Sequence, residues 1–283
     1  MKIADVLKQK MTLSFEVFPP KEPVPLTGLL DALDNLYRFK PDFISCTYHA
    51  GGDRRDRNME ICRAVRKSGH EIMTHLTCIG NTREDLHSFI GDYIDIGIEN
   101  ILALRGDYPP GWNGTRGDFA HGQELIEFVQ DEFPGLCLAA AAYPEKHITA
   151  PSLEGDIAHL RIKQEKGAHF FMTQLCHDIR AFERFTDKAR KAGIHLPIIA
   201  GIMPVLSRDP VIRMTFSNGC SIPAELAVIM GKYEDDKAGF KKAGMEYTVK
   251  LIHRFIDMGV NGIHIYTLNR WEDVAVIVQD AGL

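Results

Sequence analysis

The 283-residue chain reads as an α/β protein built as a (β/α)8 TIM barrel, and three observations lead there. Eight apolar runs of strand length alternate with eight stretches of helical periodicity, with no composition break or linker between them. The runs are near-continuously apolar, the pattern of parallel strands covered by helices. Eight such units in somewhat more than about 250 residues suit a closed ring better than an open doubly wound sheet. A single domain over residues 1–283 is expected, with one helical excursion at about 207–233.

The first strand ends in Ser14-Phe15-Glu16-Val17-Phe18-Pro19-Pro20. Leu13, Phe15 and Val17 share one face, and Ser14, Glu16 and Phe18 the other. The prolines stop the ladder because they have no N–H. If the strand is internal, Glu16 sits in a low-dielectric pocket that suits a proton donor near neutral pH; an ion pair with a nearby Arg or Lys is the alternative. Leu29, Leu30, Leu33 and Leu36 space a helix over 26–39. A strand at 43–48, a helix at 55–67 closed by Ser68-Gly69, and a strand at 72–79 follow. Asn81-Thr82 with Glu84-Asp85 opens the next helix, which ends at Gly97. Strand 100–105 runs into a glycine-rich loop reaching Gly117, then helix 123–132 and strand 136–143. Helix 152–166, strand 170–176, helix 179–192 and strand 197–203 continue the alternation. The excursion holds two short helices split near Ile222-Pro223, before helix 237–258, strand 261–268 and helix 271–279.

Composition excludes several classes. With 33 Lys+Arg against 38 Asp+Glu the net charge is −5, which gives no surface for nucleic acid or an anionic membrane. Residues 1–10 are polar and amphipathic, and no run of about 18 apolar residues occurs, so neither a signal peptide nor a membrane span is expected and the cytoplasm is the default. Six cysteines without a C-x-x-C pair indicate no zinc site or disulfide framework; buried, inert thiols are expected. There is no G-x-G-x-x-G after the first strand and no G-x-x-x-x-G-K-[ST] motif.

In such barrels the chemistry collects at the carboxyl ends of the strands. Those ends carry Glu16, Thr47 with Tyr48, His75 with Thr77, Arg105-Gly106-Asp107, Tyr143 with His147, Gln174 with His177, and Asn269-Arg270, while the opposite ends are mainly apolar. No lysine lies in the strands, which argues against a Schiff-base aldolase. His75, His147, His177 and His264 stand singly, so no metal site is expected. Residues 139–142 are all alanine: small residues let a flat ring approach, or let helices pack tightly.

Together the motifs Ser14-Phe15-Glu16-Val17-Phe18-Pro19-Pro20, Thr47-Tyr48, His75-Leu76-Thr77-Cys78, Leu104-Arg105-Gly106-Asp107-Tyr108-Pro109-Pro110, Ala142-Tyr143-Pro144-Glu145 and Tyr266-Thr267-Leu268-Asn269-Arg270 resemble the methylenetetrahydrofolate reductase family, in order from about residue 12 to 271. The resemblance implies a barrel that binds FAD and reduces 5,10-methylenetetrahydrofolate to 5-methyltetrahydrofolate. By the same analogy Glu16 is the general acid, among the apolar neighbours Phe15, Phe18 and the prolines, and Asp107 faces flavin and pterin. Gln174 would bind the pterin, and Arg270 and Met214 would contact substrate. FAD contacts carry over onto Thr47, Tyr48, Ala50, His75, Leu104, Arg105, Gly106, Asp107, Phe119, Ala120, Tyr143, His147, Asp156, His159 and Lys163. Arg105 and Lys163 suit phosphate or ribityl oxygens, with Asp156 and His159 near the ribose and adenine.

Met214, with Phe216 beside it, stands where the family often has an aromatic ring on folate or nicotinamide. Phe119 replaces an aromatic with a hydroxyl, and Leu175-Cys176-His177 a run of phenylalanines. NADH is the expected electron donor; NADPH, or reduced ferredoxin through an iron–sulfur partner subunit, stays open. A homo-oligomer is expected, and with Leu283 as the last residue control by S-adenosylmethionine is not. Two other readings stay open: a flavin-free pterin methyltransferase barrel, and an electron-accepting subunit that depends on a partner.

Overall fold

The computed structural model describes residues 1–47, 55–108, 111–112 and 114–283. Eight parallel strands close in sequence order: β1 (Thr12–Val17), β2 (Phe43–Cys46), β3 (Ile72–Thr77), β4 (Asn100–Leu104), β5 (Cys137–Ala142), β6 (Phe170–Thr173), β7 (Ile198–Ile202) and β8 (Gly262–Tyr266). The ring shuts where β1 pairs with β8, with Ser14 opposite His264 and Glu16 opposite Tyr266. The helices are α1 (Ile3–Leu7), α2 (Thr27–Leu36), α3 (Arg55–Lys67), α4 (Arg83–Asp95), α5 (Gly122–Glu132), α6 (Leu153–Glu165), α7 (Ile179–Lys191), α8 (Arg208–Ser217), α9 (Ala224–Lys232), α10 (Lys237–Asp257) and α11 (Trp271–Ala281). The (β/α)8 expectation holds. Strand ends fall short of the expected ones where the chain leaves the ladder to build the mouth: β6 stops at Thr173, and the Leu175 N–H turns to the Gln174 side chain at 2.8 Å.

The period-2 alternation sorts side chains into two layers. Phe15, Val17, Ile44, Leu76, Ile101, Phe171, Ile202 and Ile265 pack outward against the helices in the large core. Phe43, Met73, Leu102, Cys137, Ala139, Phe170, Met172 and Ile199 point inward and fill the lower lumen. The alanine run serves both purposes: Ala140 and Ala142 lie under the helices, whereas Ala139 and Ala141 face the lumen.

Two elements answer local chemistry. Thr82 caps α4, with its Oγ1 accepting from the Asp85 N–H at 3.1 Å while Asp85 accepts from the Thr82 N–H at 2.9 Å. The stretch 1–10, read as polar and amphipathic, contains α1, which places Ile3, Ala4 and Leu7 against the inward residues and plugs the amino end of the barrel. Asn100 holds it there, accepting from the Ile3 N–H at 2.8 Å and donating to the Met1 carbonyl at 3.0 Å. The excursion is α8 and α9, with Pro223 preceding α9. Among the described residues no helix is long and apolar enough to cross a membrane, and no group of three or more His, Cys, Asp or Glu is arranged to hold a metal ion.

Candidate active site

Above the apolar filling, the carboxyl end of the barrel opens into a cavity of about 490 Å³. Glu16, next to last in β1, points into it from the face opposite Phe15. Its Oε2 lies 3.5 Å from His75 Nε2 and 3.4 Å from His264 Nε2. Each imidazole is held by a serine. His75 Nε2 shares a 2.7 Å hydrogen bond with Ser45 Oγ, and His264 Nδ1 a 2.8 Å bond with Ser14 Oγ. The register dictates this, because Glu16 pairs with Ser45 on one side and Ser14 with His264 on the other. Phe43 stacks with His264 at 6.2 Å between centroids. The expected apolar surround of Glu16 is corrected: Phe15 faces the helices, Phe18 is 38% exposed, and two imidazoles take their place. Burial lowers the pKa of His75 despite the charge of Glu16, so this ring is neutral at physiological pH. A neutral imidazole can donate or accept, and so holds either form of a carboxyl group without a fixed countercharge.

A second group of polar side chains comes from the ends of β4 and β5. Gly106, at φ 86°, turns the chain so that Arg105 and the exposed Asp107 both line the cavity. The Arg105 guanidinium lies 5.3 Å from the Tyr108 ring centroid. After the adjacent strand β5 come Tyr143 and His147, in edge contact at 4.8 Å. Burial pushes the Tyr143 phenol up to about 12, and burial with the Arg105 charge lowers His147. Asp156 Oδ2 accepts from the His147 N–H at 2.7 Å. Lys163 Nζ donates to the Ala141 carbonyl at 2.8 Å and is pushed down to about 8 by burial.

The cavity thus collects Glu16, Thr47, His75, Leu104, Arg105, Gly106, Asp107, Tyr143, His147, Gln174 and Met214 from the residues read in the sequence. Others stand apart. The Phe119 ring is buried against Phe128 at 5.5 Å, with Arg83 over it at 5.3 Å, and Ala120 is tied through its N–H to Glu124 at 2.6 Å. Asp156 is buried behind His147, His159 is exposed on α6, and Arg270 pairs with Asp273 at 2.8 Å. Tyr48 and Ala50 lie outside the described residues. The amide of Gln174 is held by donating to Asn218 Oδ1 at 2.9 Å.

Sequence reasoning passed over His264 as a site residue, and missed Tyr266, Asn218 and Leu268. The alternation Gly262-Ile263-His264-Ile265-Tyr266 carried the signal for two of them, since both polar rings fall on one face. Tyr266 reaches across the lumen, its Oη donating to the Thr173 carbonyl at 2.7 Å. Glycine is required between them: a Cβ on Gly201 would lie 2.3 Å from that carbonyl and 2.5 Å from the Tyr266 Oη. All six cysteines are buried and unpaired, and none lines the cavity.

A closed parallel barrel whose polar side chains converge on the carboxyl mouth is the architecture of a (β/α)8-barrel enzyme. The family model described as methylenetetrahydrofolate reductase matches residues 2–282. The 5,10-methylenetetrahydrofolate reductase of Escherichia coli is 34% identical over 282 residues, which cover 99% of this chain and 94% of that protein. Methylenetetrahydrofolate reductase 1 of Schizosaccharomyces pombe is 32% identical over 297 residues; the match takes in 100% of this chain but 49% of that protein, so the chain spans about half the length of that relative. The chain belongs to the methylenetetrahydrofolate reductase family. Among solved structures, an uncharacterized protein from Clostridium thermocellum that binds two copies of 5-methyl-5,6,7,8-tetrahydrofolic acid superposes with a TM-score of 0.66 at 14% identity, covering 99% of this chain and 98% of that one. A dihydropteroate synthase from Coxiella burnetii, in complex with pteroic acid, gives 0.52 at 9% identity, covering 97% and 95%. These two likenesses are of fold.

Proposed function

We propose that this chain reduces 5,10-methylenetetrahydrofolate to 5-methyltetrahydrofolate, with FAD bound in the mouth and NADH as electron donor. Family membership supports the reaction, and the observation that carries the chemistry is Glu16 in the lumen between two imidazoles. The residues present suit a flavin. Ala141 removes bulk from the cavity face of β5, and Leu104 with Tyr143 offers apolar surface beside the cations Arg105 and Lys163. Arg105 and Lys163 would hold phosphate or ribityl oxygens, with Asp156 and His159 toward the ribose and adenine. When bound, FAD supplies the hydride taken from the nicotinamide donor.

The chain's own residues supply the rest. Opening the five-membered ring of the substrate needs a proton on the departing nitrogen, N10, and Glu16 delivers it. The product of that step is a methylene iminium at N5, whose positive charge the Asp107 carboxylate favours. The Gln174 amide, with a donor and an acceptor to offer, reads the pterin edge while Asn218 orients it. His75 and His264 keep the carboxyl inside the lumen.

Glu16→Gln keeps the shape and removes the acid. Expected is unchanged FAD content and unchanged flavin reduction by NADH, with folate turnover down by roughly 10²–10⁴-fold. Folate turnover near the wild-type rate removes Glu16 from the proton-donor role.

A further inference from the structure

We propose that Asn269 is a positioning residue that fixes the direction of Glu16 by extending the β1–β8 ladder one rung past its end. The inference rests on Glu16 being the proton donor. The contacts of the carboxylate are loose, at 3.4 and 3.5 Å, longer than a strong charge-assisted hydrogen bond. Its aim is therefore set by the backbone that carries it. Past Val17 the chain runs into Pro19-Pro20 and the ladder stops. The Asn269 side chain replaces the missing rung. Its Oδ1 accepts from the Phe18 N–H at 3.2 Å, and its Nδ2 donates to the Phe18 carbonyl at 2.9 Å, as a neighbouring peptide group would.

On the other side of Val17, Thr267 takes the Glu16 carbonyl twice, through its N–H at 3.2 Å and its Oγ1 at 2.6 Å. The two grips are joined, because the Asn269 N–H donates to that same Thr267 Oγ1 at 3.1 Å. Glu16 and Phe18 are thereby bracketed by one three-residue segment at the end of β8.

The segment adopts a costly backbone to do this. Leu268 and Asn269 both lie in the left-handed region, at φ 52° and 55°. Asn tolerates that region; Leu rarely enters it, since its Cβ crowds the following carbonyl. The Arg270 N–H donating to the Thr267 carbonyl at 2.9 Å closes the turn, and the Leu268 side chain is left lining the cavity. Strain of this kind persists only where surrounding contacts over-determine it. The clamp sits at a half-exposed position where water can satisfy Phe18 if the amide is removed. Its loss therefore registers in the chemistry more than in the fold.

The test separates the amide from the backbone. Asn269→Gly keeps the left-handed conformation and removes both hydrogen bonds; Asn269→Asp keeps the acceptor and loses the donor. In Asn269→Gly the reduced enzyme is expected to be oxidised by methylenetetrahydrofolate about 10–100-fold more slowly, with flavin reduction by NADH within about twofold of wild type. Asn269→Asp falls between. By NMR, amide exchange of Phe18 speeds up in Asn269→Gly. A folate half-reaction within about twofold of wild type, in a variant whose Phe18 amide has become labile, overturns the inference. Should Asn269→Gly fail to fold, Asn269→Asp, which leaves the Phe18 carbonyl without its donor, carries the folate readout alone, and a half-reaction at the wild-type rate overturns the inference. Glu16→Gln, measured alongside, tells the two failures apart: if it also keeps folate turnover, the proton-donor reading fails; if it is inactive while Asn269→Gly is not, only the clamp does.

Discussion

The two halves of the barrel lumen are built from the same strands and by the same alternation, yet they do opposite things. The lower half is a plug. Phe43, Met73, Phe170 and Ile199 meet Ile3 and Leu7 of α1, and the space is filled. The upper half begins one inward residue further along: Phe43 gives way to Ser45, Met73 to His75, and Gly262 to His264. The residues that replace them are small or polar, the cavity opens, and each of the two imidazoles beside Glu16 is met by a serine hydroxyl. A step of about 7 Å along a strand thus separates packing from chemistry. The lower layer sets the ring's diameter and twist, which decides where the upper groups point.

If the halves divide the labour in this way, each should be breakable without the other. The largest effect expected on stability is in the plug. Phe170→Ala deletes a fully buried ring and should cost about 3–5 kcal/mol in urea unfolding, while the folded fraction still turns over folate near the wild-type rate. Glu16→Gln should do the reverse. A Phe170→Ala loss below about 1 kcal/mol, or a turnover defect as deep as that of Glu16→Gln, breaks the division.

How much of this was legible beforehand follows the same line. The barrel and its polar rim were readable because both depend on local signals, the apolar run and the residue at its end. Alternation set Glu16 on the face opposite Phe15 without saying which of the two faces the lumen. Which face of β8 is inward depends on register with β1, a long-range fact, and so His264 and Tyr266 were not assembled around Glu16. α1 showed as an amphipathic stretch, but with only five residues it did not stand out as an element, and its burial is a tertiary effect. Phe119 is a related case. The family resemblance implied a flavin contact there, and the start of α5 turns the ring inward onto Phe128.

A sharper version of the comparison lies in the histidines. In the lumen, His75 is lowered by burial, yet Glu16 opposes the shift and Ser45 bonds the ring. His177, in the turn after β6, is buried with neither ring nitrogen hydrogen-bonded among the described residues, and burial pushes it down to about 4. Its folded pKa is below the unfolded value near 6.5, so the unfolded chain takes up the proton first as pH falls. The stability it lends is complete above about pH 6.5 and is lost between there and pH 4, by about 3 kcal/mol. His177→Leu should flatten that part of the curve. Urea unfolding at pH 7 and 4.5 measures it, and an equally steep loss in the variant sinks the assignment.

The smallest effect tests whether the upper half has a scaffold of its own. Tyr266 spans the lumen from β8 to β6, past Gly201, and holds the Thr173 carbonyl immediately before Gln174. Burial pushes its phenol well above the usual value, so it remains a donor throughout the working pH range. The Gly201 N–H donates to Thr173 Oγ1 at 3.0 Å, so Thr173 is gripped from two strands. Tyr266→Phe removes one grip without changing volume appreciably. The expected cost is about 0.5–1.5 kcal/mol, read as a loosening of Gln174 that raises the folate KM roughly two- to tenfold while kcat changes little. An unchanged KM would place Tyr266 with the plug below it, as filling; a fall in kcat instead would mean that its edge contact with His264, at 5.3 Å between centroids, matters more than its hydroxyl.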